Sequence, residues 1–246
     1  MAIQSTGVIK FSQIQGEFGG THPIKASEYY RNGAYVTSNN TEIGTSGRLD
    51  LSDYYGTQRG LTLVYEIIGG GGAGGGGDSD GGGNGVYGAS GGDSSLSGSG
   101  GGLSVSVTST GGSGGLNGGI SRLTWHGGEA SYYGSGGSSG GNNAAGGAAP
   151  ASSHGAGGGG GGGDAPSVFD RSGNAGIGGS ASDRVTGEAM LVAGTQVTVV
   201  IGAGGPRNTY GYDGGAGASG YARLQVGNTV SEYPNAGTYT FTIPTT

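Results

Sequence analysis

Glycine is concentrated in the middle of this chain. Of the 67 glycines in 246 residues, 56 lie in residues 61–226, and the longest uninterrupted run is Gly157–Gly163. Because ordering glycine costs more backbone entropy than ordering any other residue, such runs cannot build helices or an ordinary core. The central part of the chain is therefore either a disordered spacer or a structure that needs glycine's missing side chain.

The bulk composition limits both the core and the partners of the chain. Apolar residues make up 32% and charged residues 11%, well below globular averages, so a large hydrophobic core is not expected. The formal net charge is −6 and no basic cluster occurs, which argues against a nucleic-acid partner. Without cysteines, a signal-like segment or a long apolar stretch, we expect no disulfide, no conventional secretion and no membrane insertion.

Residues 1–60 carry a short pattern three times, which predicts a separate small module. Each copy has an apolar lead-in, a serine, an acidic or amide residue, further apolar or aromatic residues and then a glycine. The copies lie at 9–14, 24–30 and 49–55. They predict three helices of one or two turns that end near Gly19, Gly33 and Gly56.

Serine provides the predicted start of each of these helices, because its side-chain oxygen can accept an orphan amide hydrogen at a helix N-terminus. Ser12 with Gln15 fits a capping box. Two interpretations of the module stay open. It is either a docking unit or a minor folding unit with a tyrosine-rich core.

Five segments with alternating apolar and polar residues predict β-strands, and all are rich in β-branched and aromatic residues. The segments are 61–68, 103–108, 196–201, 220–226 and 237–243. Because flexible linkers do not carry strands at both ends and in the middle, we expect an ordered domain over 61–226 and a C-terminal strand segment over 227–246. A glycine–serine coil is the competing structure.

Glycine runs can be ordered as polyglycine II, an extended left-handed helix with about three residues per turn. Such a helix has no internal hydrogen bonds, so its N–H and C=O groups need partners on neighbouring segments. The neighbours must come close, and an inward-facing Cβ would block them. We therefore predict a small N-terminal module of capped helices and extended pieces, followed by packed polyglycine II helices that are clamped by β-strands.

Three stretches of the glycine-rich region carry a resemblance to known proteins. They are 64–72 (VYEIIGGGG), 198–205 (TVVIGAGG) and 215–224 (GAGASGYARL). Through them, residues 61–226 resemble the glycine-rich domain of bacteriophage tail proteins, and are similar to the distal polyglycine-helix domain of tail-fibre tip adhesins from T-even-like phages. The resemblance implies a sandwich of polyglycine II helices whose apical loops bind the bacterial surface.

The N-terminal module departs from the fibre-attachment domain of those adhesins. Through 11–14 (FSQI) and 51–56 (LSDYYG) it resembles a short segment at the start of assorted phage structural proteins. This resemblance implies that residues 1–60 dock to other tail proteins of the virion.

Bulky side chains in the glycine-rich region occur in islands between glycine runs. Tyrosine, tryptophan and arginine among glycine, serine and asparagine form the composition of a binding surface, where rigid aromatic area costs little entropy. We predict that these islands contact a host receptor, either a glycan or an outer-membrane protein. The predicted receptor-binding residues are Tyr87, Trp125, His126, Tyr132, Tyr133, Phe169, Tyr210 and Tyr212. A small satellite core under the loops is the alternative.

Catalysis finds little support in the sequence. None of the three histidines, His22, His126 and His154, has a recognisable acid or nucleophile spaced around it. Matches to nucleophile-elbow or dinucleotide fingerprints arise trivially in poly-glycine and lack the strand–turn–helix context that they need. We therefore expect no enzymatic activity, no catalytic residues, no cofactor and no metal site.

These expectations combine into a leading function and two alternatives. The leading hypothesis is a receptor-binding protein at the tip of a phage tail or tail fibre, made in the host cytoplasm and located in the virion. It would be a monomer or a trimer. The first alternative is a purely structural tail-tip or decoration protein without a receptor. The second is an ice-binding or matrix protein, which would need a flat and regular face.

Overall fold

The computed structural model describes residues 2–23, 25–77, 86–116, 127–140, 144–161, 177–207, 209 and 213–245. Within these ranges one α-helix, α1, spans Phe11–Phe18, and single 3-10 turns span Ala26–Tyr29 and Leu51–Tyr54. The strands are β1 (Gly60–Ile68), β2 (Ser94–Gly100), β3 (Leu103–Ser109), β4 (Arg184–Val192), β5 (Gln196–Ile201), β6 (Tyr221–Val226), β7 (Thr229–Tyr233) and β8 (Gly237–Thr242).

The strands form two four-stranded antiparallel sheets. Sheet one has the order β4-β1-β6-β7, and sheet two has the order β3-β2-β5-β8. One buried apolar cluster takes Leu63 and Leu224 from sheet one together with Val199 and Phe241 from sheet two. Because the inward positions of both sheets meet in this cluster, the sheets pack face to face as a sandwich.

The sequence predicts five of these strands, β1, β3, β5, β6 and β8, and the structure confirms each to within one residue at either end. Strands β2, β4 and β7 are not among those predicted from the sequence. Leu96 is the single large apolar residue of β2, and β4 is interrupted by Gly187, which lies opposite Tyr65. Residues 227–246 contribute one edge strand to each sheet, since β7 belongs to sheet one and β8 to sheet two.

The three copies of the N-terminal pattern form the same local structure. In each copy the backbone N–H of the N-cap residue donates to a side chain three positions later. The pairs are Lys10 with Gln13 at 2.7 Å, Lys25 with Glu28 at 3.0 Å, and Asp50 with Asp53 at 2.9 Å. The serines therefore lie inside the helical turns. The predicted capping box of Ser12 with Gln15 is wrong, because Lys10 is the N-cap and Gln13 accepts its amide hydrogen.

Apolar side chains fix the start of these turns. Ile9 precedes the N-cap of α1 and Ile14 is its fourth residue, and both are buried in one cluster. Leu49 and Tyr54 occupy the same two positions of the third copy and join that cluster, which is the arrangement of a hydrophobic staple. Gly19 ends α1 with a positive φ of 85°. The second turn ends at Tyr30 in an extended conformation, three residues before the predicted Gly33.

Glycine-rich segments continue the strands beyond one end of the sandwich. β1, β3 and β5 each run outward into such a segment, and β2, β4 and β6 each begin where another returns. The described segments are 69–77, 86–93, 110–116, 127–130, 134–140, 144–150, 155–161, 177–183, 202–207 and 213–220. The sandwich therefore fixes where three of these segments begin and where three others end.

Segment 69–77 donates hydrogen bonds to three neighbours in rotation. The amides of Gly70, Ala73 and Gly76 donate to segment 86–93. Those of Gly71 and Gly74 donate to segment 213–220, and those of Gly72 and Gly75 donate to segment 177–183. The acceptors of Gly70 to Gly76, in order, are the carbonyls of Gly92, Ala218, Ser180, Ala89, Gly215, Ile177 and Val86, all at 2.8–2.9 Å. This period of three means that the segment has hydrogen-bonded neighbours in three directions. A strand within a sheet has them on two sides only.

The carbonyls of segment 69–77 accept from three further segments. Gly112 donates to Gly70, Gly205 donates to Gly71, and Gly158 donates to Gly72. Residues 157–161 of segment 155–161 are surrounded in the same way, because they donate to 127–130, 69–77 and 144–150 and accept from 134–140, 177–183 and 213–220. Both segments therefore have hydrogen-bonded neighbours on every side, which satisfies the backbone groups that glycine exposes.

Candidate functional site

The predicted receptor-binding residues divide into two groups in the structure. One group lies outside the described residues and consists of Trp125, His126, Phe169, Tyr210 and Tyr212. The other group, Tyr87, Tyr132 and Tyr133, lies within them. The described residues on either side of the first group show where the chain leaves and re-enters the described structure.

The glycine-rich segments gather the flanks of these stretches at the end away from the sandwich. Gly76, eight residues beyond the end of β1, donates to the carbonyl of Val86 at 2.8 Å. Gly75 donates to Ile177, which in turn donates to Leu116. The chain therefore leaves and re-enters the described structure at this end before and after 78–85, 117–126 and 162–176.

The stretch that contains Tyr210 and Tyr212 begins and ends at the same end. Gly214 lies against the carbonyl of Gly74, and an ion pair of 2.7 Å joins Arg207 to Asp213. Tyr87 is next to Val86 and its side chain is 62% exposed. We call this end of the glycine-rich segments, marked by Gly76, the distal end.

Tyr132 and Tyr133 lie at the opposite end, next to the sandwich. They form a tight turn that is closed by an antiparallel bridge between Ser131 and Gly134. The Tyr133 hydroxyl donates to Oε1 of Glu66 on β1 at 3.0 Å. Tyr132 is 68% exposed, but one face of its ring lies 4.0 Å from the guanidinium carbon of Arg184. The structure therefore does not bring these two tyrosines together with the distal end.

Tyr133 is part of a cluster that covers one end of sheet one. Its ring contacts Tyr221 at 5.0 Å and His154 at 5.7 Å between centroids, and His154 stacks on Tyr221 at 4.9 Å. Burial, followed by the hydrogen bond to Glu66, raises the pKa of the Tyr133 hydroxyl above its ordinary value. The cluster anchors the turn to the sandwich, so structural contacts account for Tyr133.

The residues that complete this cluster are absent from the sequence predictions. Glu66 and Tyr133 are 67 positions apart, and Glu66 and Arg184 are 118 positions apart. No local sequence pattern indicates a contact between residues that are so far apart in the chain. A glutamate between Tyr65 and the apolar pair Ile67 and Ile68 of β1 was the one available signal, because a buried carboxylate needs partners.

His154 makes the cluster sensitive to pH. Burial lowers the pKa of its imidazole below 6.5, so the folded state favours the neutral ring. The unfolded chain then binds more protons than the folded chain between the lowered pKa and 6.5, and stability falls as the pH drops through that window. We expect the urea midpoint to decrease between pH 7.5 and 5.5, and His154→Gln to reduce that decrease.

The control for this prediction is His22→Gln, because His22 is exposed in the N-terminal region. It should leave the slope of midpoint against pH as in the unmodified protein. An equal slope in the His154→Gln variant and the unmodified protein would show that other groups carry the pH dependence.

The outer face of sheet two is uncharged and rich in hydroxyl groups. Its positions alternate with the buried residues and stand opposite one another in the register of the four strands. The hydroxyl-bearing positions are Ser95, Ser97, Ser99, Ser104, Ser106, Thr108, Thr198, Thr238, Thr240 and Thr242. Gln196 and Val200 of β5 share this face, opposite Thr242 and Thr238. A regular face is one requirement of the ice-binding alternative, and thermal hysteresis is the measurement that tests that alternative.

Comparison with protein-family models, with curated proteins and with solved structures finds no match for this chain. Among the described residues, no helix has the length and apolar character needed to cross a membrane. In the same part of the chain, no three histidine, aspartate or glutamate side chains are grouped so that they could hold a metal ion. The function must therefore be argued from the geometry.

Proposed function

We propose that the glycine-rich segments are polyglycine II helices packed side by side. The rotation of hydrogen-bond donors in segment 69–77 supports this, because three residues per turn point successive amides to three different neighbours. The close approach of the backbones also supports it. A Cβ on Gly72 would come within 3.0 Å of the Ser113 carbonyl oxygen, so an ordinary residue does not fit there.

We further propose that the protein is a phage tail or tail-fibre tip protein that binds a host surface receptor through its distal end. The observation that carries this proposal is the meeting of chain flanks around Gly76, because the stretches that contain Trp125, Phe169 and Tyr210 are flanked there by described residues. At about 3.1 Å per residue, the eight residues from the end of β1 to Gly76 extend the rigid support of packed segments roughly 25 Å beyond the sandwich. Residues 1–60 lie at the chain terminus that precedes β1 and would dock to other tail proteins.

Removing distal aromatic side chains tests this proposal. We expect the triple variant Trp125→Ala, Tyr210→Ala, Tyr212→Ala to weaken binding to intact bacterial cells by at least about thirtyfold, since aromatic anchors dominate the energy of interfaces. The measurement uses fluorescently labelled full-length protein and flow cytometry on a strain panel, followed by titration on a strain that binds. Circular dichroism establishes that the triple variant is folded.

Tyr132→Ala is the matched variant, because it removes an exposed tyrosine at the other end of the segments. It should bind cells as the unmodified protein does. If the triple variant binds normally while Tyr132→Ala does not, the receptor contact lies next to the sandwich and the distal proposal is wrong. If the unmodified protein binds none of the strains, the structural tail component becomes the better proposal.

A further inference from the structure

The outer face of sheet one carries a polar groove of about 340 Å³ next to the cluster of Tyr132 and Tyr133. It runs across β4, β1 and β6, where the strand register places Thr186, Glu66 and Arg223 in one row and Glu188 beside Val64 in the next. Its lining residues are Val64, Tyr65, Glu66, Arg184, Thr186, Gly187, Glu188 and Arg223. This volume is at the small end of the range for ligand pockets.

The charges of the groove are balanced. Glu66 and Glu188 supply two carboxylates, and Arg184 and Arg223 supply two guanidinium groups, so the formal charge of the lining is zero. A phosphate would be repelled by the carboxylates of the groove, and an ammonium ion would be repelled by its guanidinium groups. A neutral ligand with several hydroxyl groups can donate to the carboxylates and accept from the guanidinium groups.

The buried end of the groove keeps hydrogen-bonding capacity. Among the described residues, Oε1 of Glu66 accepts from Arg184 Nε and from the Tyr133 hydroxyl, while Oε2 has no partner. Arg184 engages Glu66 through Nε, and the side chain is 37% exposed. The stacking of Arg184 on Tyr132 and its bond to Glu66 fix the guanidinium in place, which lowers the entropy cost of binding.

We propose that this groove binds one ring of a neutral sugar. Neighbouring hydroxyl groups of the ring can donate to Glu66 and accept from Arg223 and Arg184. The hydroxyl group of Thr186 adds a further hydrogen-bond partner. Val64 is 39% exposed on the floor and offers apolar contact to the C–H face of the ring. The inference is independent of the proposed function, since the groove is on the outer face of sheet one and not at the distal end.

The test is a titration of the ¹⁵N-labelled full chain with the methyl α-glycosides of glucose, galactose and mannose, followed by amide chemical shifts. We expect at least one glycoside to shift amides of residues 64–66 and 184–188 saturably, while inorganic phosphate and choline do not. Thr186→Val and Glu188→Gln should each weaken that binding by at least about fivefold. Both residues are exposed, so neither change threatens the fold.

Thr198→Val is the matched control, because it removes an exposed strand threonine from the outer face of sheet two. It should bind the glycoside as the unmodified protein does. The inference is overturned if none of the three glycosides shifts these amides, if only phosphate or choline does, or if Thr186→Val and Glu188→Gln both leave the affinity unchanged. Loss of cell binding in the distal triple variant does not bear on these outcomes.

Discussion

Replacing Gly72 with alanine is expected to destabilise the protein by about 3 kcal/mol or more. The added Cβ would come within 3.0 Å of the Ser113 carbonyl carbon and oxygen, and both backbones are held by hydrogen bonds to other segments. Gly72 donates to Ser180 and accepts from Gly158, so relief of the overlap would break bonds to two further segments. Urea unfolding, followed by circular dichroism, measures the loss.

Gly16→Ala is the matched control. Gly16 lies in α1, is exposed, and has no atom within 4 Å of the position that a Cβ would take. The same substitution there should be neutral or stabilising by up to about 1 kcal/mol, because alanine favours a helix over glycine. Similar midpoints for Gly72→Ala and Gly16→Ala would mean that segment 69–77 is not closely packed.

Ala73, the neighbour of Gly72, already carries a Cβ, so the predicted cost is specific to position 72. Ala73 is fully buried, yet its side chain is accommodated. In a helix with three residues per turn, successive Cβ atoms point about a third of a turn apart, so adjacent positions face different neighbours. The tolerance of one position therefore says nothing about the next, and the substitution must be judged from the atoms that each Cβ would meet.

The parts of the fold that sequence reasoning predicted are those with a local signal. β1 and β5 alternate apolar and polar residues, and the N-terminal repeat was visible from three aligned serines. The error there was one of register, since the Ile9–Ile14 spacing, and not Ser12, marks the start of α1. A hydrophobic staple has apolar residues five positions apart, so that signal was present in the sequence.

The parts that were missed depend on pairing between distant residues. β2 is stabilised by its position between β3 and β5, and its serines reveal nothing of the buried Leu96 between them. Gly187 weakens the strand pattern of β4, and only the ring of Tyr65 on the neighbouring strand explains its small size. The same holds for the site, where tyrosine composition alone did not separate Tyr132 and Tyr133 from the distal end.

Amide hydrogen exchange should distinguish a surrounded glycine-rich segment from an edge strand and from a coil. We expect every amide from Gly70 to Gly76 to exchange at least about 10³-fold more slowly than in a random chain, because each donates to a carbonyl of another segment. Mass spectrometry with fragmentation, or NMR, resolves the individual amides.

Which amides are protected from exchange distinguishes the structures better than the degree of protection does. β7 is an edge strand that pairs only with β6, so alternate amides of Thr229–Tyr233 point to solvent and should exchange rapidly, giving a period of two. In segment 69–77 successive amides rotate among three neighbours, so protection should be continuous along Gly70–Gly76. Alternating protection there would indicate a segment that is paired on one side only, as in an edge strand, and exchange at random-chain rates would indicate a glycine–serine coil. Either result would remove the rigid support on which the distal binding proposal depends.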